Sequence, residues 1–182
     1  MTQPFDFQPH LVGPNLELRP LVAEDFAAVH AAASDPLIWE VHPDPLRWQA
    51  ERFRSTFFDS AVKGGAAFVV IDRADGSVIG SSRYYDWEPD QKEVAIGYTF
   101  LKRSHWGGRY NREMKQLMLD HAFRWAERVW FHVGANNIRS RRAMEKIGGK
   151  LAFIRERPFN GQPIPYAFFC IERSEWERGR EA

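Results

Sequence analysis

One stretch of the sequence, residues 93–116, combines a strand-like run, two adjacent glycines and a long amphipathic segment. Glu93–Leu101 is rich in β-branched and aromatic residues, which favours a strand, and helical spacing follows from Arg109. Between them, Gly107 and Gly108 lie in a basic turn. Because glycines let the backbone approach a ligand and the first N–H groups of a helix lack partners, this arrangement suits a pyrophosphate. Two adjacent glycines alone also occur in ordinary connections, so the prediction of a pyrophosphate site depends on the residues around them.

Composition limits the classes of protein to which the chain can belong. Its 182 residues, 44% hydrophobic and 27% charged, fit one soluble domain, 1–182, preceded by a loose leader, 1–15. A net charge of +1 argues against a nucleic-acid or membrane-surface binder. The single cysteine, Cys170, excludes an internal disulfide and favours a cytoplasmic protein. No histidine pair has metal-ligand spacing, so we expect no metal, and His121 and His132 are predicted to be core residues.

Hydrophobic periodicity and turn residues predict six further strands and three further helices around this stretch. The predicted strands are 16–21, 66–71, 77–85, 129–133, 151–157 and 166–172, besides 93–101. The predicted helices are 23–33, 46–62 and 137–147, besides 109–128, and the last nine residues form a charged tail. The fourth and fifth strands flank a helix and should pair in parallel within a mainly antiparallel sheet. Ligands of such sheets bind where the strands separate beside this crossover, which is where the glycine turn lies.

Three blocks in this order resemble the GNAT superfamily of acetyl-CoA-dependent N-acetyltransferases, and most of all the Rim-like branch that acetylates protein N-termini, including ribosomal proteins. LELRPLVAEDF (16–26) is similar to that branch's opening, IGYTFLKRSHWGGRYNRE (96–113) to its pyrophosphate-binding segment, and ANNIRSRRAMEKIGG (135–149) to its second block. The ending ERSEWE (172–177) is also similar. The resemblance implies an α/β (α+β) fold with a mixed, mainly antiparallel sheet, about four helices and a splay between strands 4 and 5.

The resemblance also implies a binding site for acetyl-CoA. Backbone groups near Phe100 and Leu101 would pair with the pantetheine arm, and amides of the glycine turn and the next helix would hold the pyrophosphate. Asn137 would bond the cofactor, and one arginine of the following helix, Arg142, would contact its 3′-phosphate. The expected cofactor-binding set is therefore Phe100, Leu101, Trp106, Gly107, Gly108, Arg109, Tyr110, Asn111, Arg112, Asn137 and Arg142.

Two positions depart from the pattern of the family. Arg109 stands where a second spaced glycine is usual, and its side chain would either crowd the phosphate or bind it through two hydrogen bonds. Binding is the interpretation we favour, because Trp106, Tyr110 and Glu113 keep their places. Met144 stands where many members have a tyrosine as general acid, and a thioether cannot donate a proton.

Acetyl transfer needs a neutral amine and a proton for the leaving thiolate. Glu93, at the head of its strand, is the candidate base acting through water, although it could equally be a solvated strand-end charge. Ser140 would lie near the sulfur or bond its own helix, and Tyr166 would border the substrate or pack in the core. An aromatic-walled acceptor groove is expected from Trp39, Tyr84, Tyr85 and Trp87.

The favoured function is N-acetylation of a primary amine, on a protein N-terminus or a small molecule, by direct attack in a ternary complex with acetyl-CoA. One alternative is an inactive acyl-CoA-binding sensor or scaffold. The other is an acyltransferase that uses another acyl-CoA such as succinyl-CoA, which would need basic residues, for example Arg83 or Arg103, near the thioester. The chain could be a monomer or a homodimer.

Overall fold

The computed structural model describes residues 3–181, and in this part of the chain eight strands form one sheet in the order β1-β2-β3-β4-β5-β6-β8-β7. The strands are β1 (Leu11–Val12), β2 (Leu16–Pro20), β3 (Ala67–Asp72), β4 (Val78–Glu88), β5 (Glu93–Leu101), β6 (Arg128–Gly134), β7 (Lys150–Phe159) and β8 (Gln162–Glu172). All neighbours pair antiparallel except β5 and β6, which are parallel. The mixed, mainly antiparallel sheet predicted from the sequence is confirmed.

Helices lie on both faces of the sheet. They are α1 (Phe26–Ala33), α2 (Ala50–Phe53), α3 (Asp59–Gly64), α4 (Arg109–Ala122), α5 (Ile138–Lys146) and α6 (Arg173–Glu181). A π-helical turn, Arg54–Phe58, joins α2 to α3 and makes residues 50–64 one continuous helix. None of the helices described is long and apolar enough to cross a membrane.

Alternation along β3 shows how the sheet separates two apolar layers. Phe68 and Val70 pack into a cluster with Met114 and Met118 of α4. Ala67 and Val69 point the other way, into a cluster that holds the helix of residues 50–64. Because successive side chains of a strand face opposite sides, one apolar strand serves both layers.

The residues before β2 are held by the core, which differs from the loose leader predicted for 1–15. The Phe5 side chain is buried, and its ring lies 4.8 Å from Trp87, 5.2 Å from Tyr84 and 5.3 Å from Trp125. Met1 and Thr2 lie outside the described residues. Burial of an aromatic ring contributes roughly 1.5–3 kcal/mol, enough to fix a short segment against the sheet.

The charged ending forms a helix and is not an extended tail. Trp176 of α6 donates a 2.8 Å hydrogen bond to the Asp120 carboxylate of α4. Arg173 and Glu177 form an ion pair one helical turn apart. Together they hold a segment whose composition alone predicts no packing.

Candidate active site

A cleft opens where β5 and β6 separate. The two strands pair only through Glu93–Ala95 and Arg128–Trp130, and beyond this point β6 pairs with β8 alone. The remainder of β5 therefore leaves the backbone edge that faces β6 unpaired by sheet bonds. The resulting cleft has a volume of about 1370 Å³ and is lined by both strands, α4, α5 and the loop before α2.

The glycine turn forms one end of this cleft. Gly107 has φ +70°, a left-handed conformation that favours glycine, and Gly108 occupies the N-cap of α4. A methyl group added at Gly107 would meet nothing within 4 Å, and one at Gly108 would meet only the Trp106 carbonyl at 4.0 Å. No side chain among residues 3–181 caps α4. The first N–H groups of this helix therefore face open space, as an anion site requires.

Glu113 fixes the start of α4 in position. Its carboxylate accepts hydrogen bonds from the Asn15 N–H at 2.8 Å, the Asn15 side-chain amide at 2.7 Å and the Leu16 N–H at 2.9 Å. The glycine turn is also held by the Trp106 indole, which donates to the Leu101 carbonyl at 2.8 Å. The ring of Tyr110 packs against His105, and the exposed Arg109 guanidinium lies 5.4 Å from the Tyr110 ring.

Helix α5 forms the opposite wall. Asn137 is buried, and its side-chain oxygen caps the helix by accepting from the Ser140 N–H at 3.1 Å. Ser140, Arg142 and Met144 also line the cleft. The structure thus places every residue of the expected cofactor-binding set on the cleft except Tyr110, which lines a smaller neighbouring pocket with Arg109.

Lys115 lies on the floor of the cleft, and sequence reasoning missed it. Its side chain is 2% exposed and donates a 2.7 Å hydrogen bond to the Thr99 hydroxyl of β5. Burial lowers its pKa to about 7. The helical spacing of α4 contains the signal, because Lys115 belongs to the same buried stripe as Met118, Leu119 and Ala122.

A polar network on β4, β6 and β7 also lines the cleft, and we refer to this part of the cleft as the acceptor end. His132 is part of it and is not a core residue. Arg157 donates to His132 Nδ1 at 3.0 Å, and the Tyr85 hydroxyl lies 3.0 Å from the same nitrogen. Because arginine can only donate, Nδ1 is the acceptor and any ring proton of the neutral imidazole is on Nε2. Burial and the Arg157 charge lower the pKa of His132 to about 4.

Tyr166 lines the cleft beside this network. Its ring centroid lies 5.8 Å from the Arg157 guanidinium carbon. Burial raises the pKa of the Tyr166 hydroxyl, and the charges of Arg157 and Arg47 oppose the rise. Within residues 3–181 this hydroxyl makes no hydrogen bond, so it is available to a ligand.

The loop before α2 completes this end of the cleft. Trp39 is buried, donates to the Ala33 carbonyl at 2.8 Å and presents one face to the cleft. Arg47 is 5% exposed, donates to the Thr56 hydroxyl at 3.2 Å and lies 3.7 Å from the Asp44 carboxylate. Asp44 in turn accepts from Arg52.

Tyr98 interrupts β5 within the cleft. It has φ +49°, a conformation that is rare and strained for an aromatic residue, and the pairing of β4 with β5 shifts register beside it. Its ring lies 3.9 Å from the guanidinium of Arg83, which is buried. Strain of this kind is concentrated at functional sites.

Three expected site residues lie away from the cleft. Tyr84 is buried in the core and donates to the Met118 carbonyl at 2.6 Å, and Trp87 packs against Phe5. Both therefore support the sheet and do not wall the acceptor groove. The Glu93 carboxylate accepts from Arg128 at 2.8 Å and from the Trp130 indole at 3.0 Å, so both of its oxygens are engaged outside the cleft.

The basic residues considered for an acidic acyl group are also placed elsewhere. Arg83 donates to the Phe57 carbonyl at 3.0 Å beneath Tyr98, and its Nε is buried without a partner in the described chain. Arg103 forms an ion pair with Asp35. Among residues 3–181, no group of three or more His, Cys, Asp or Glu side chains could hold a metal ion.

Known proteins share this architecture. The profile described as "Acetyltransferase (GNAT) domain" matches residues 15–150. A GCN5-related N-acetyltransferase from Brucella melitensis has a TM-score of 0.82 at 24% identity, over 96% of this chain and 83% of that one. Spermidine N-acetyltransferase from Vibrio cholerae, solved with CoA and spermine, has a TM-score of 0.69 at 18% identity, covering 91% and 99%. Mycobacterium smegmatis RimJ, solved with CoA-disulfide, has a TM-score of 0.71 at 20% identity, covering 93% and 90%.

These likenesses show the fold, and the profile covers most of the chain, from the start of β2 through α5 to the first residue of β7. The splay of β5 from β6, the glycine turn and the Asn137 cap all fall within the matched residues. The chain therefore belongs to the GNAT family of acetyltransferases.

Proposed function

We propose that the chain is an acetyl-CoA-dependent N-acetyltransferase that moves an acetyl group to a primary amine by direct attack in a ternary complex. The observation that carries this proposal is the uncapped N-terminus of α4, which opens at Gly107 and Gly108 into the gap between β5 and β6. A cradle with no side chain in front of it suits a pyrophosphate held by main-chain N–H groups.

The residues present fit coenzyme A. The amides of residues 107–112 would hold the pyrophosphate, the open edge of β5 near Phe100 and Leu101 would pair with the pantetheine, and Asn137 and Arg142 would contact the cofactor from α5. Arg109 is exposed beside the turn, which supports a binding role for its guanidinium. When bound, acetyl-CoA supplies an acetyl group on a thioester, and transfer to an amine leaves a thiolate that must take up a proton.

The acceptor amine must be neutral before it can attack. Arg47 and Arg157 place positive charge beside the cleft, and a nearby cation disfavours the protonated form of an amine. This electrostatic effect reduces the need for a strong base. The proposal therefore does not depend on Glu93, whose oxygens are bonded to Arg128 and Trp130.

A proton donor is available without the tyrosine that Met144 replaces. The pKa of Tyr166 is raised by burial, so its hydroxyl keeps its proton at neutral pH. Ser140 presents a second hydroxyl in the first turn of α5. We assign Tyr166 the role of donor and Ser140 a position near the leaving sulfur.

Release of free thiol from acetyl-CoA, measured with a panel of amines and peptides, tests the proposal. We expect turnover with at least one acceptor, and the loss of that turnover when Gly108 is replaced by Val. Binding of CoA without thiol release for any acceptor would instead indicate a sensor or scaffold. Faster turnover with succinyl-CoA than with acetyl-CoA would reassign the acyl group.

The acceptor class is a protein N-terminus or a small amine, and we place the enzyme in the cytoplasm. The single cysteine fits a reducing compartment. RimJ supports the Rim-like assignment through its fold, and the spermidine enzyme shows that the same fold also serves small amines. A monomer and a homodimer both fit the proposal.

A further inference from the structure

The charges that line the cleft are strongly unbalanced. Among the residues 3–181 that line the cleft, Asp86 is the one carboxylate, whereas eight are arginine or lysine. Six of these lie on α4 and α5, the two helices that flank the proposed cofactor site. The cationic lining residues are Arg47, Arg109, Arg112, Lys115, Arg139, Arg142, Lys146 and Arg157.

Arg47 and Arg157 are the two that remain, and both lie at the acceptor end. The Arg157 guanidinium carbon lies 5.8 Å from the Tyr166 ring centroid, and Arg47 Nη1 lies 3.4 Å from His42, whose ring is 6.3 Å from that of Phe159 on the same strand as Arg157. Arg47 comes from the loop before α2 and Arg157 from β7, which means that separate elements bring two positive charges to one place. The two arginines therefore do not belong to a single solvent-exposed run of basic residues in the sequence.

Neither guanidinium is fully neutralised by the protein. Arg47 is 5% exposed, and its carboxylate neighbour Asp44, 3.7 Å away, is shared with Arg52 at 3.0 Å. Arg157 forms no ion pair within residues 3–181, and its hydrogen bond goes to the neutral His132 imidazole. A third cation, Arg83, lies buried beneath Tyr98. Arg47 shares its counter-charge and the half-buried Arg157 has none in the part of the chain that the structure describes, which makes an anionic ligand group a natural partner for the pair.

We propose that Arg47 and Arg157 form a carboxylate subsite, and that the preferred acceptor carries a carboxylate close to its reactive amine, as in an amino acid or a peptide with an acidic residue near its N-terminus. A guanidinium binds a carboxylate through charge-assisted hydrogen bonds, and Arg47 is already oriented by Thr56. The same charge disfavours polyamines. The inference rests on the proposed function and specifies its acceptor.

Matched acceptors test the subsite. L-Phenylalanine and phenethylamine differ only in the carboxylate of the amino acid. Ser-Asp-Ala-Ala amide and Ser-Asn-Ala-Ala amide differ only in their second side chain, which is a carboxylate in the first peptide and a neutral amide in the second. With acetyl-CoA, we expect kcat/KM to favour the carboxylate member of at least one pair by 10-fold or more, and spermidine to be the poorest acceptor. Equal rates within both pairs, or a preference for spermidine, would overturn the subsite while leaving the acetyltransferase activity intact.

Variants of Arg157 locate the effect. Arg157→Gln should lower kcat/KM more for the carboxylate member of each pair than for the neutral member, so that the preference falls to within about 2-fold, and Arg157→Lys should restore part of it. Arg54→Gln is the matched control, because Arg54 is an exposed arginine that stacks on Phe26 and does not line the cleft. An undiminished preference in Arg157→Gln would contradict the assignment.

Two further experiments test whether the carboxylate that binds Arg157 belongs to the acyl group, and whether the subsite exists without catalysis. If succinyl-CoA with phenethylamine exceeds acetyl-CoA with phenylalanine, and Arg157→Gln abolishes that advantage, the carboxylate belongs to the acyl group and the acceptor proposal is wrong. If no acceptor releases thiol, the proposed function fails, and calorimetry then tests the subsite alone. In that case phenylalanine should still bind the CoA complex at least 10-fold more tightly than phenethylamine, and equal affinities would reject it.

Discussion

The Lys115 ammonium nitrogen lies 2.7 Å from the Thr99 hydroxyl oxygen, and this contact joins α4 to β5 beneath the cleft. Thr99 also lies 2.8 Å from the Ser82 hydroxyl of β4, so a short chain of polar groups crosses the apolar layer. No carboxylate among the described residues pairs with Lys115. A lysine held in this way favours its neutral form, because the charged form loses its hydration.

Replacement of Lys115 by Met should make the protein more stable at neutral pH. The folded pKa is about 7 and the ordinary value is 10.5, so between these values the unfolded chain binds a proton that the folded chain does not. The free energy of unfolding of the wild type therefore rises with pH across this window. Relative to Lys115→Met, the wild type should be less stable by roughly 2–5 kcal/mol near pH 7, and the difference should shrink towards pH 10.

Urea unfolding at pH 7, 8.5 and 10 measures this difference. Lys63→Met, at an exposed position of α3, is the control. Its free energy of unfolding should differ from that of the wild type by the same small amount at all three pH values. A difference for Lys115→Met that does not change with pH would show that the lysine is not held neutral.

Replacement of Gly108 by Val should weaken CoA binding by about 10-fold or more with little loss of stability. A methyl group there meets only the Trp106 carbonyl, at 4.0 Å, and a larger side chain would occupy the space in front of the α4 N–H groups. Gly64→Val is the matched control, because its side chain also meets nothing within 4 Å and Gly64 lies outside the cleft. Calorimetric titration with CoA measures the affinity of each variant. Equal affinities of the Gly108→Val and Gly64→Val variants for CoA would show that the pyrophosphate does not bind at this turn.

Replacement of Glu113 by Ala should lower the free energy of unfolding by about 2–4 kcal/mol. Two backbone N–H groups and one side-chain amide would lose a charged acceptor at the start of β2. Glu113→Gln keeps an acceptor oxygen and should cost less. Glu145→Ala, at an exposed position of α5, is the control and should lower the free energy of unfolding by less than about 0.5 kcal/mol. An equally small decrease for Glu113→Ala would contradict the anchoring role.

Replacement of Glu93 by Gln should leave kcat and its pH profile nearly unchanged. The carboxylate is held by Arg128 and Trp130 outside the cleft, so its loss should reduce stability by less than about 1 kcal/mol without affecting proton transfer. Tyr166→Phe is the contrast and should lower kcat by about 10-fold or more with the KM for acetyl-CoA unchanged. A Glu93→Gln enzyme that has lost the acidic limb of its pH profile would restore the carboxylate as base.

The central stretch could be predicted from the sequence because its signals are local. The predicted strand Glu93–Leu101 has the observed bounds, and the helix begins at Arg109 as predicted. That helix ends at Ala122, earlier than predicted, because Phe123–Trp125 form a turn although the apolar spacing continues to Trp125. Amphipathic spacing predicts which face is buried more reliably than where a helix stops.

Features that depend on distant contacts could not be predicted in this way. Phe5 is fixed by three aromatic rings that come from β4 and the turn after α4, and Trp176 by a carboxylate of α4. Arg47 and Arg157 line one cleft although more than a hundred residues separate them in the sequence. The left-handed conformation of Tyr98 has no signal in its residue type, because an aromatic residue normally avoids it.

The π-helical turn at Arg54–Phe58 brings Thr56 to Arg47 by accommodating one extra residue within a continuous helix. Deletion of a single residue there would restore regular α-helical winding and leave the helical segments before and after the turn on their present faces. Phe53 and Ala61, on either side of the turn, would keep their places in the apolar layer, whereas Thr56 lies within the turn and would shift, so that Arg47 would lose its hydroxyl partner. Relatives that are one residue shorter in this segment should consequently differ in acceptor selectivity while retaining the same cofactor cradle.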